Sequence, residues 1–347
     1  MDIIEKKHIK IKFVDFWGHW NENDNFIVNC LKNYYDVEIS NKPDYVFFST
    51  FNGLFEHMEF ADCVKIFYTQ ENLCPDFNYA DYAMGYEMMS YGDRYLWYPI
   101  FLVEERYKNS WDLMKVKHVN NAGGGYANRK FCSFVVSNGM ADSIRNDMFI
   151  KLSLYKKVDS GGRYENNIGL PNGVDDKVGF AKQYKFSLCF ENSSHPGYVT
   201  EKIVEAFAAK TVPIYWGDPC ISNIFNPKAF INVGEFATIH DAIEEIKKID
   251  SDDERYYEML NEPALQDNTL MLYEEKQKEL ELFFLNIFDQ DLNKAIRRNR
   301  VCWGRIYEER YSAMKKSYIL LNYNVVSRLL KKMRNLIRKV RLIMQKV

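Results

Sequence analysis

The 347-residue sequence predicts an α/β protein built from two successive Rossmann-like units that face a cleft. Three observations support this prediction. The length corresponds to about two domains of ordinary size. Short apolar runs alternate with polar helical stretches in both halves of the chain, which is typical of a mainly parallel sheet with helices on its faces. Between the halves, residues 107–128 are polar and contain three consecutive glycines, which indicates a linker.

The apolar runs follow one another in order along each half. The first half contains IKIKFVDFW, PDYVFFST, ADCVKIFYT and RYLWYPIFL, and the second contains KFCSFVVSN, LYKKVDS, YKFSLCFEN, TVPIYWG and AFINV. After residue 240 the pattern becomes helical, with a longer amphipathic stretch from Leu272 to Ile287. We therefore predict an N-terminal unit at 1–120, a second unit at 121–300 and a helical region at 301–347. A cleft between two such units is a favoured place for a substrate.

The last residues of the chain are predicted to form a basic amphipathic helix. Ten Lys or Arg residues and no acidic residue lie between Lys315 and Val347, so removing them from the net charge of −2 leaves −12 for residues 1–314. From residue 325, apolar side chains recur at helical spacing between the basic ones. The pattern predicts binding to an anionic membrane surface, with docking of the helix on the acidic body as the alternative. A nucleic-acid partner is not predicted, because the rest of the chain is acidic.

Cysteine usage and the N-terminus indicate a cytoplasmic protein. The seven cysteines are widely spaced and form no CxxC pair, so we expect reduced thiols. The first residues lack the apolar core of a secretory signal, and no run of about 18 apolar residues is present that could span a bilayer. Together with the basic tail, these features predict a peripheral location on the inner face of the cytoplasmic membrane.

Three short motifs in the second half suggest an anion-binding site. FENS ends an apolar run, YVTEK opens an apolar helical stripe, and VPIYWG follows. Thr200, Glu201 and Lys202 are predicted to lie in a first helical turn, where free N–H groups and the helix dipole attract phosphate. Lys202 would add a mobile positive charge, and Glu201 could accept hydrogen bonds from a ribose diol. The alternative is that both are ordinary charges at a helix start.

Arg145, Glu71, Trp17 and His19 are further candidates, because each follows a predicted strand. The Arg145 guanidinium could make a two-pronged contact with a diphosphate. Ligand crevices of open α/β sheets lie outside the carboxyl ends of the strands, so Glu71, directly after VKIFYT, is where a catalytic base would be placed. The segment with Trp17 and His19 could offer a stacking platform for a sugar ring. A surface arginine, a loop acid and core aromatic residues are the ordinary alternatives.

No metal site is predicted from the sequence. The two Asp-x-Asp triplets, at 250–252 and 289–291, fall in the helical region rather than after an apolar strand. The six histidines lack zinc-like spacing. Neither a GxGxxG segment nor a Walker loop is present.

In combination, FENS, YVTEK and PIYWG resemble the signature of the α1,3/4-fucosyltransferases, glycosyltransferase family 10. The segments YKFSLCFENS and NPKAFINV are similar to the bacterial branch of that family. The resemblance is strong over residues 128–233 and fair over 64–100. It implies a GT-B fold, a GDP-fucose donor and inverting, metal-independent transfer to a GlcNAc-type hydroxyl.

The resemblance also implies roles for individual residues. Glu71 would be the general base, although Gln70 stands before it where the family usually has glycine. The donor-binding residues would be Arg145, Asn192, Tyr198, Glu201 and Lys202. An N-acetyllactosamine-type acceptor, fucosylated at O3 or O4, would give Lewis-type products. The alternatives are a GT-B transferase that uses another GDP-sugar and an inactive glycan-binding protein on the same scaffold.

Overall fold

The computed structural model describes residues 5–103, 105–116, 126, 128–323 and the single positions 329, 332 and 333. Within this part of the chain, eleven strands form two separate sheets in which every neighbouring pair is parallel. The arrangement confirms the predicted α/β class with two Rossmann-like units. The basic tail predicted from residue 325 lies outside the described residues, apart from those three positions.

The first sheet has the strand order β2-β1-β3-β4-β5-β6. Its strands are β1 (His8–Val14), β2 (Asp36–Ile39), β3 (Tyr45–Phe48), β4 (Val64–Tyr68), β5 (Tyr82–Gly85) and β6 (Tyr95–Trp97). The apolar runs predicted β1, β3, β4 and β6 correctly and missed the other two. Strand β2 is an edge strand with only partly buried side chains, and β5 (YAMG) contains Ala and Gly, which are uncommon in strands, so neither gives a clear strand signal.

The second sheet has the strand order β11-β10-β9-β7-β8. Its strands are β7 (Lys130–Phe134), β8 (Val158–Ser160), β9 (Tyr184–Phe190), β10 (Val212–Trp216) and β11 (Ile231–Asn232), and all five were predicted. The chain continues from β7 to β8 on one side and from β9 to β10 on the other. The loops after β7 and β9 therefore separate, and such a switch point is where open α/β sheets bind ligands.

Helices cover the faces of both sheets. The described helices are α1 (Phe26–Lys32), α2 (Glu105–Lys115), α3 (Ser143–Ser153), α4 (Lys177–Ala181), α5 (Glu201–Ala208), α6 (Ile239–Ser251), α7 (Asp253–Asn261), α8 (Leu272–Phe288), α9 (Leu292–Ala295) and α10 (Trp303–Tyr323). The helical region predicted after residue 240 is confirmed, including the amphipathic stretch that forms α8.

The predicted linker at 107–128 is wrong over its first part, because α2 occupies residues 105–115. Tyr107, Trp111 and Met114 are all buried, and their spacing of four and three residues places them on one helical face. The indole ring of Trp111 stacks on Phe101 at a centroid distance of 5.8 Å. The three glycines at 123–125 lie outside the described residues.

Helix α8 packs against the first sheet although it follows the second in sequence. Phe288 contacts Tyr45 at a ring-centroid distance of 4.3 Å, and Phe284 meets Phe47 edge to face at 6.1 Å. The Tyr35 hydroxyl donates to the Asp289 carboxylate at 2.7 Å. The chain thus returns to its N-terminal unit, while the boundaries predicted at residues 120 and 300 stay predictions.

Candidate active site

Five predicted site residues meet in one cavity between the two units. We call this cavity of about 230 Å³ the cleft pocket. Glu71 reaches it from the loop after β4, and the other walls come from the loops after β7 and β9 and from the first turns of α3, α4 and α5. The residues that line the cleft pocket are Glu71, Val135, Val136, Ser137, Asn138, Arg145, Lys177, Asn192, Glu201 and Lys202. The cleft expected between the units is therefore present.

Arg145 lies in the first turn of α3 and is held in place by two other residues that line the pocket. Asp142 caps that helix by accepting from the Ile144 N–H at 3.1 Å. The Arg145 guanidinium donates to Asn192 Oδ1 at 2.8 Å and to the Asn138 carbonyl oxygen. Only 2% of Arg145 is exposed, and burial lowers its pKa, yet arginine remains charged at neutral pH. Two of its five N–H groups donate to partners among the described residues, so further donors can serve a ligand.

Lys202 is a fixed cation rather than the mobile charge predicted from the sequence. Its ammonium donates to Glu191 Oε2 at 2.9 Å and to Thr200 Oγ1 at 2.8 Å. Glu191 is fully buried and also accepts from the Thr200 N–H at 2.8 Å. Burial alone would lower the pKa of Lys202, but the charges of Glu191 and Glu201 outweigh it and raise the pKa above its usual value. The prediction of a mobile lysine is wrong, because a buried carboxylate must be paired.

Glu201 is the first residue of α5, where it faces a second lysine. Lys177 at the start of α4 lies 3.4 Å from Glu201 and 3.7 Å from Glu205. Burial opposes ionisation of Glu201, but the charges of Lys202 and Lys177 outweigh it and lower the pKa of Glu201. Glu201 is therefore ionised at neutral pH and able to accept hydrogen bonds from hydroxyl groups.

Glu71 lies in the turn after β4, on the side of the cleft pocket formed by the first unit. Its N–H donates to Thr69 Oγ1 at 3.1 Å, and its carbonyl oxygen accepts from the Leu73 N–H at 2.7 Å. The side chain is open to the cleft, yet the surrounding protein desolvates the carboxylate and raises its pKa, an effect that Lys202 opposes. A carboxylate with a raised pKa next to cations is suited to proton transfer.

Tyr198 does not line the cleft pocket. It is 1% exposed, and its hydroxyl lies 3.5 Å from Asn192 Nδ2, behind the pocket wall. Its ring meets Tyr86 of the first unit edge to face at a centroid distance of 4.9 Å. Direct donor contact by Tyr198 stays a prediction, and the geometry places this residue as a support for Asn192.

Trp17 and His19 line a different and larger cavity of about 680 Å³ beside the cleft pocket. Trp17 is partly buried and packs edge to face on Trp20 at 4.9 Å, whereas His19 is exposed. Gln70 also lines this cavity, and its neighbour Glu71 lines the cleft pocket. The turn after β4 therefore borders both cavities. Aromatic rings among amide and carboxylate side chains are suited to binding sugar rings and their hydroxyl groups.

Two residues that shape the site were missed in the sequence. Glu191 belongs to the FENS segment, and its signal was a carboxylate at the end of an apolar run, where burial demands a partner such as Lys202. Lys177 lies in a polar stretch with no distinguishing pattern, so only the fold brings it to the pocket.

The described residues contain no group of three or more His, Cys, Asp or Glu side chains arranged to hold a metal ion. In the same part of the chain, no helix is both long enough and apolar enough to cross a membrane. All seven cysteines are free thiols, as expected.

Comparison with known proteins gives matches over both units. Residues 11–104 match the family model of the alpha-(1,3)-fucosyltransferase FucT N-terminal domain, and residues 126–270 match that of glycosyltransferase family 10 (fucosyltransferase), C-terminal. The chain is 33% identical to the alpha-(1,3)-fucosyltransferase FucT of Helicobacter pylori over 82% of its own length and 66% of that protein. It is 37% identical to human 3-galactosyl-N-acetylglucosaminide 4-alpha-L-fucosyltransferase FUT3 over 38% of the chain and 36% of that protein.

A solved structure shares the fold. The crystal structure of an alpha1,3-fucosyltransferase with GDP-fucose superposes with a TM-score of 0.72 at 29% sequence identity, covering 86% of this chain and 95% of the other. This match and the two facing parallel sheets confirm the predicted GT-B architecture. The chain spans about two thirds of the length of the Helicobacter pylori relative and about a third of the human one.

Proposed function

The chain belongs to glycosyltransferase family 10, and from this membership we propose that it transfers L-fucose from GDP-fucose to a GlcNAc hydroxyl of an N-acetyllactosamine-type glycan. O3 is the expected position, with O4 as the alternative, and the products would be Lewis-type fucosides. The observation that carries the proposal is the cleft pocket. Across this pocket, the Glu71 carboxylate of the first unit faces residues of the second unit. These are the fixed cations Arg145 and Lys202 and the ionised Glu201.

The proposed chemistry is a single displacement at the fucose anomeric carbon. Glu71 removes the proton from the acceptor hydroxyl as its oxygen attacks that carbon. The bond to the GDP oxygen breaks, and the configuration inverts. Arg145 and Lys202 stabilise the charge that develops on the departing diphosphate. Glu201 accepts from the ribose hydroxyls, and Asn192 holds Arg145 in place.

The acceptor is assigned to the larger cavity that contains Trp17 and His19. A cavity of about 680 Å³ lies within the size range of pockets that bind drug-sized ligands. It therefore has room for an oligosaccharide rather than only a single sugar ring. An acceptor bound there in contact with Gln70 would lie close to Glu71, which is the next residue in the sequence. The proposal therefore places the reacting hydroxyl next to Glu71, at the turn that borders both cavities.

Transfer is proposed to be independent of a metal ion. Arg145 and Lys202 are held by the protein before the donor arrives, so they can take the place of a cation without costly reorganisation. Activity should persist unchanged in EDTA. A requirement for Mn²⁺ or Mg²⁺ in the folded, full-length protein would refute this part of the proposal.

Turnover of GDP-fucose with a panel of acceptors tests the main proposal. The panel contains type 1 and type 2 N-acetyllactosamine and lactose, and linkage analysis of the product identifies the position of transfer. Displacement of bound GDP-fucose by GDP-mannose at equal concentration would favour a transferase for another GDP-sugar. Glycan binding without any turnover would favour the inactive scaffold.

The tail is proposed to hold the protein on the inner face of the cytoplasmic membrane. Support comes from the eight basic residues between Arg328 and Lys346, each worth on the order of 1 kcal/mol near an anionic surface. Deletion of residues 325–347 should abolish binding to phosphatidylglycerol vesicles and preserve transfer to a soluble acceptor. Equal vesicle binding by both forms would refute the anchor. Loss of soluble-substrate activity would instead indicate a docked helix.

A further inference from the structure

A hydrogen bond joins the two units directly beside the cleft pocket. The Asn72 side-chain amide donates to Ser193 Oγ at 2.8 Å. Asn72 is the residue after Glu71, and Ser193 is the residue after Asn192. Consecutive Cα atoms are only about 3.8 Å apart. The bond therefore joins the neighbour of the proposed base Glu71 to the neighbour of Asn192, which lies on the donor side of the pocket.

Both neighbours of the bonded pair are themselves fixed within their own units. The Glu71 N–H donates to Thr69 Oγ1 at 3.1 Å, which shapes the turn after β4. Asn192 accepts from Arg145 through its side chain at 2.8 Å, and its carbonyl oxygen accepts from the Asp142 N–H, also at 2.8 Å. Each unit thus positions its own half of the pocket, and the bond between them sets one half relative to the other.

Other contacts hold the same loop on the first unit without passing through the bonded pair. His195 lies 2.7 Å from Glu87, and the Trp97 indole N–H donates to the Gly197 carbonyl oxygen at 3.3 Å. Gly197 adopts a φ of +85°, and a Cβ there would come within 2.3 Å of the Tyr86 carbonyl oxygen. The two units therefore stay in contact when the Asn72–Ser193 bond is removed.

We propose that Asn72 and Ser193 are positioning residues for fucosyl transfer, which set the Glu71 carboxylate against the donor held by the second unit. The proposal rests on the function proposed above. Transfer requires the base, the acceptor oxygen and the anomeric carbon to be aligned, and a misplacement of about 1 Å costs on the order of 10²-fold in rate. Neither side chain lines the cleft pocket, so their loss should change alignment rather than donor affinity.

The test is a double-mutant cycle with Asn72→Ala, Ser193→Ala and the combination of both. Each single variant should lower kcat about tenfold or more, and the double variant should be no slower than the slower single variant. The affinity for GDP, measured by calorimetry, should stay within about twofold of the parent in all three. Ser193→Thr, which keeps the hydroxyl, should retain most of the activity.

His195→Gln is the matched control, because it alters a contact between the same loop and the first unit but away from Glu71. Its kcat should stay within about twofold of the parent. The positioning role would be refuted if the losses of kcat multiplied in the double variant. A parallel loss of GDP affinity would refute it as well, and so would an equal loss of kcat in His195→Gln. No fucose transfer by the parent protein would overturn the proposed function and the pair together.

Discussion

Replacement of Glu191 by glutamine tests whether a buried ion pair with Glu191 holds Lys202 in its fixed position. The substitution keeps the size and shape of the side chain and removes its charge. Glu191 is fully buried and accepts from the Thr200 N–H, the Thr200 hydroxyl and the Lys202 ammonium. Glutamine can still accept from Thr200, so the principal change is that Lys202 loses its directly bonded carboxylate and keeps only the more indirect attraction of Glu201.

The size of the effect follows from that burial. Removal of one partner of a buried pair typically costs about 3–5 kcal/mol of unfolding free energy. For a chain of this size, each kcal/mol shifts the thermal midpoint by roughly 2 °C, so the midpoint should fall by about 5–10 °C. Removal of both charges in Glu191→Gln/Lys202→Met should recover part of this loss, because no unpaired charge then remains buried.

Thermal denaturation followed by circular dichroism measures this effect. Glu279→Gln provides a control for the same chemical change at the exposed pair with Lys276, where about 0.5 kcal/mol or less is expected. A midpoint for Glu191→Gln that matches that of the control would refute the buried-pair reasoning. So would a double variant that is less stable than Glu191→Gln alone.

Four further outcomes follow from the site. Glu71→Gln should lower turnover about 10²–10⁴-fold with GDP affinity unchanged in calorimetry, and activity within a factor of a few would exclude Glu71 as the base. Burial raises the pKa of Glu71 and the charge of Lys202 lowers it, so Lys202→Met should move the acidic limb of the kcat/KM profile to higher pH. A shift to lower pH would contradict the assignment of that limb to Glu71. Arg145→Ala should weaken GDP binding about 10–100-fold, the range for a hydrogen bond to a charged group, and unchanged binding would reject its diphosphate role. Trp17→Ala should raise KM for the acceptor at constant GDP affinity, and an unchanged acceptor KM would remove Trp17 from the acceptor cavity.

Most strands of the second unit were predictable because they are apolar runs that end at a polar residue or a glycine, whereas β8 (Val158–Ser160) is short and partly polar. Helix α2 was not, because its polar residues match a linker and its buried face consists of only three large side chains. Strand β2 was not predicted for a related reason. It is an edge strand with partly exposed side chains, and such a strand gives only a weak apolar signal in the sequence.

Five of the residues that line the cleft pocket were predicted from the sequence, whereas Lys177 and the contacts among these residues were not. Motif order placed Arg145, Glu201 and Lys202 near one another, and strand order brings Glu71 opposite them. The pairing of Lys202 with Glu191 is a tertiary property, since the two lie eleven positions apart in sequence and a loop brings them together. The bond from Asn72 to Ser193 spans 121 positions, and no local pattern could indicate it.

The return of α8 to the first sheet has a consequence for synthesis on the ribosome. The rings of Tyr45 and Phe47 on the first sheet contact Phe288 and Phe284 of α8. About 190 residues separate the last strand of that sheet from the end of α8, so translation takes roughly 10–40 seconds to deliver its cover. During that interval Tyr45 and Phe47 lack their contacts with α8, so we expect the nascent N-terminal half to expose apolar surface that chaperones can bind.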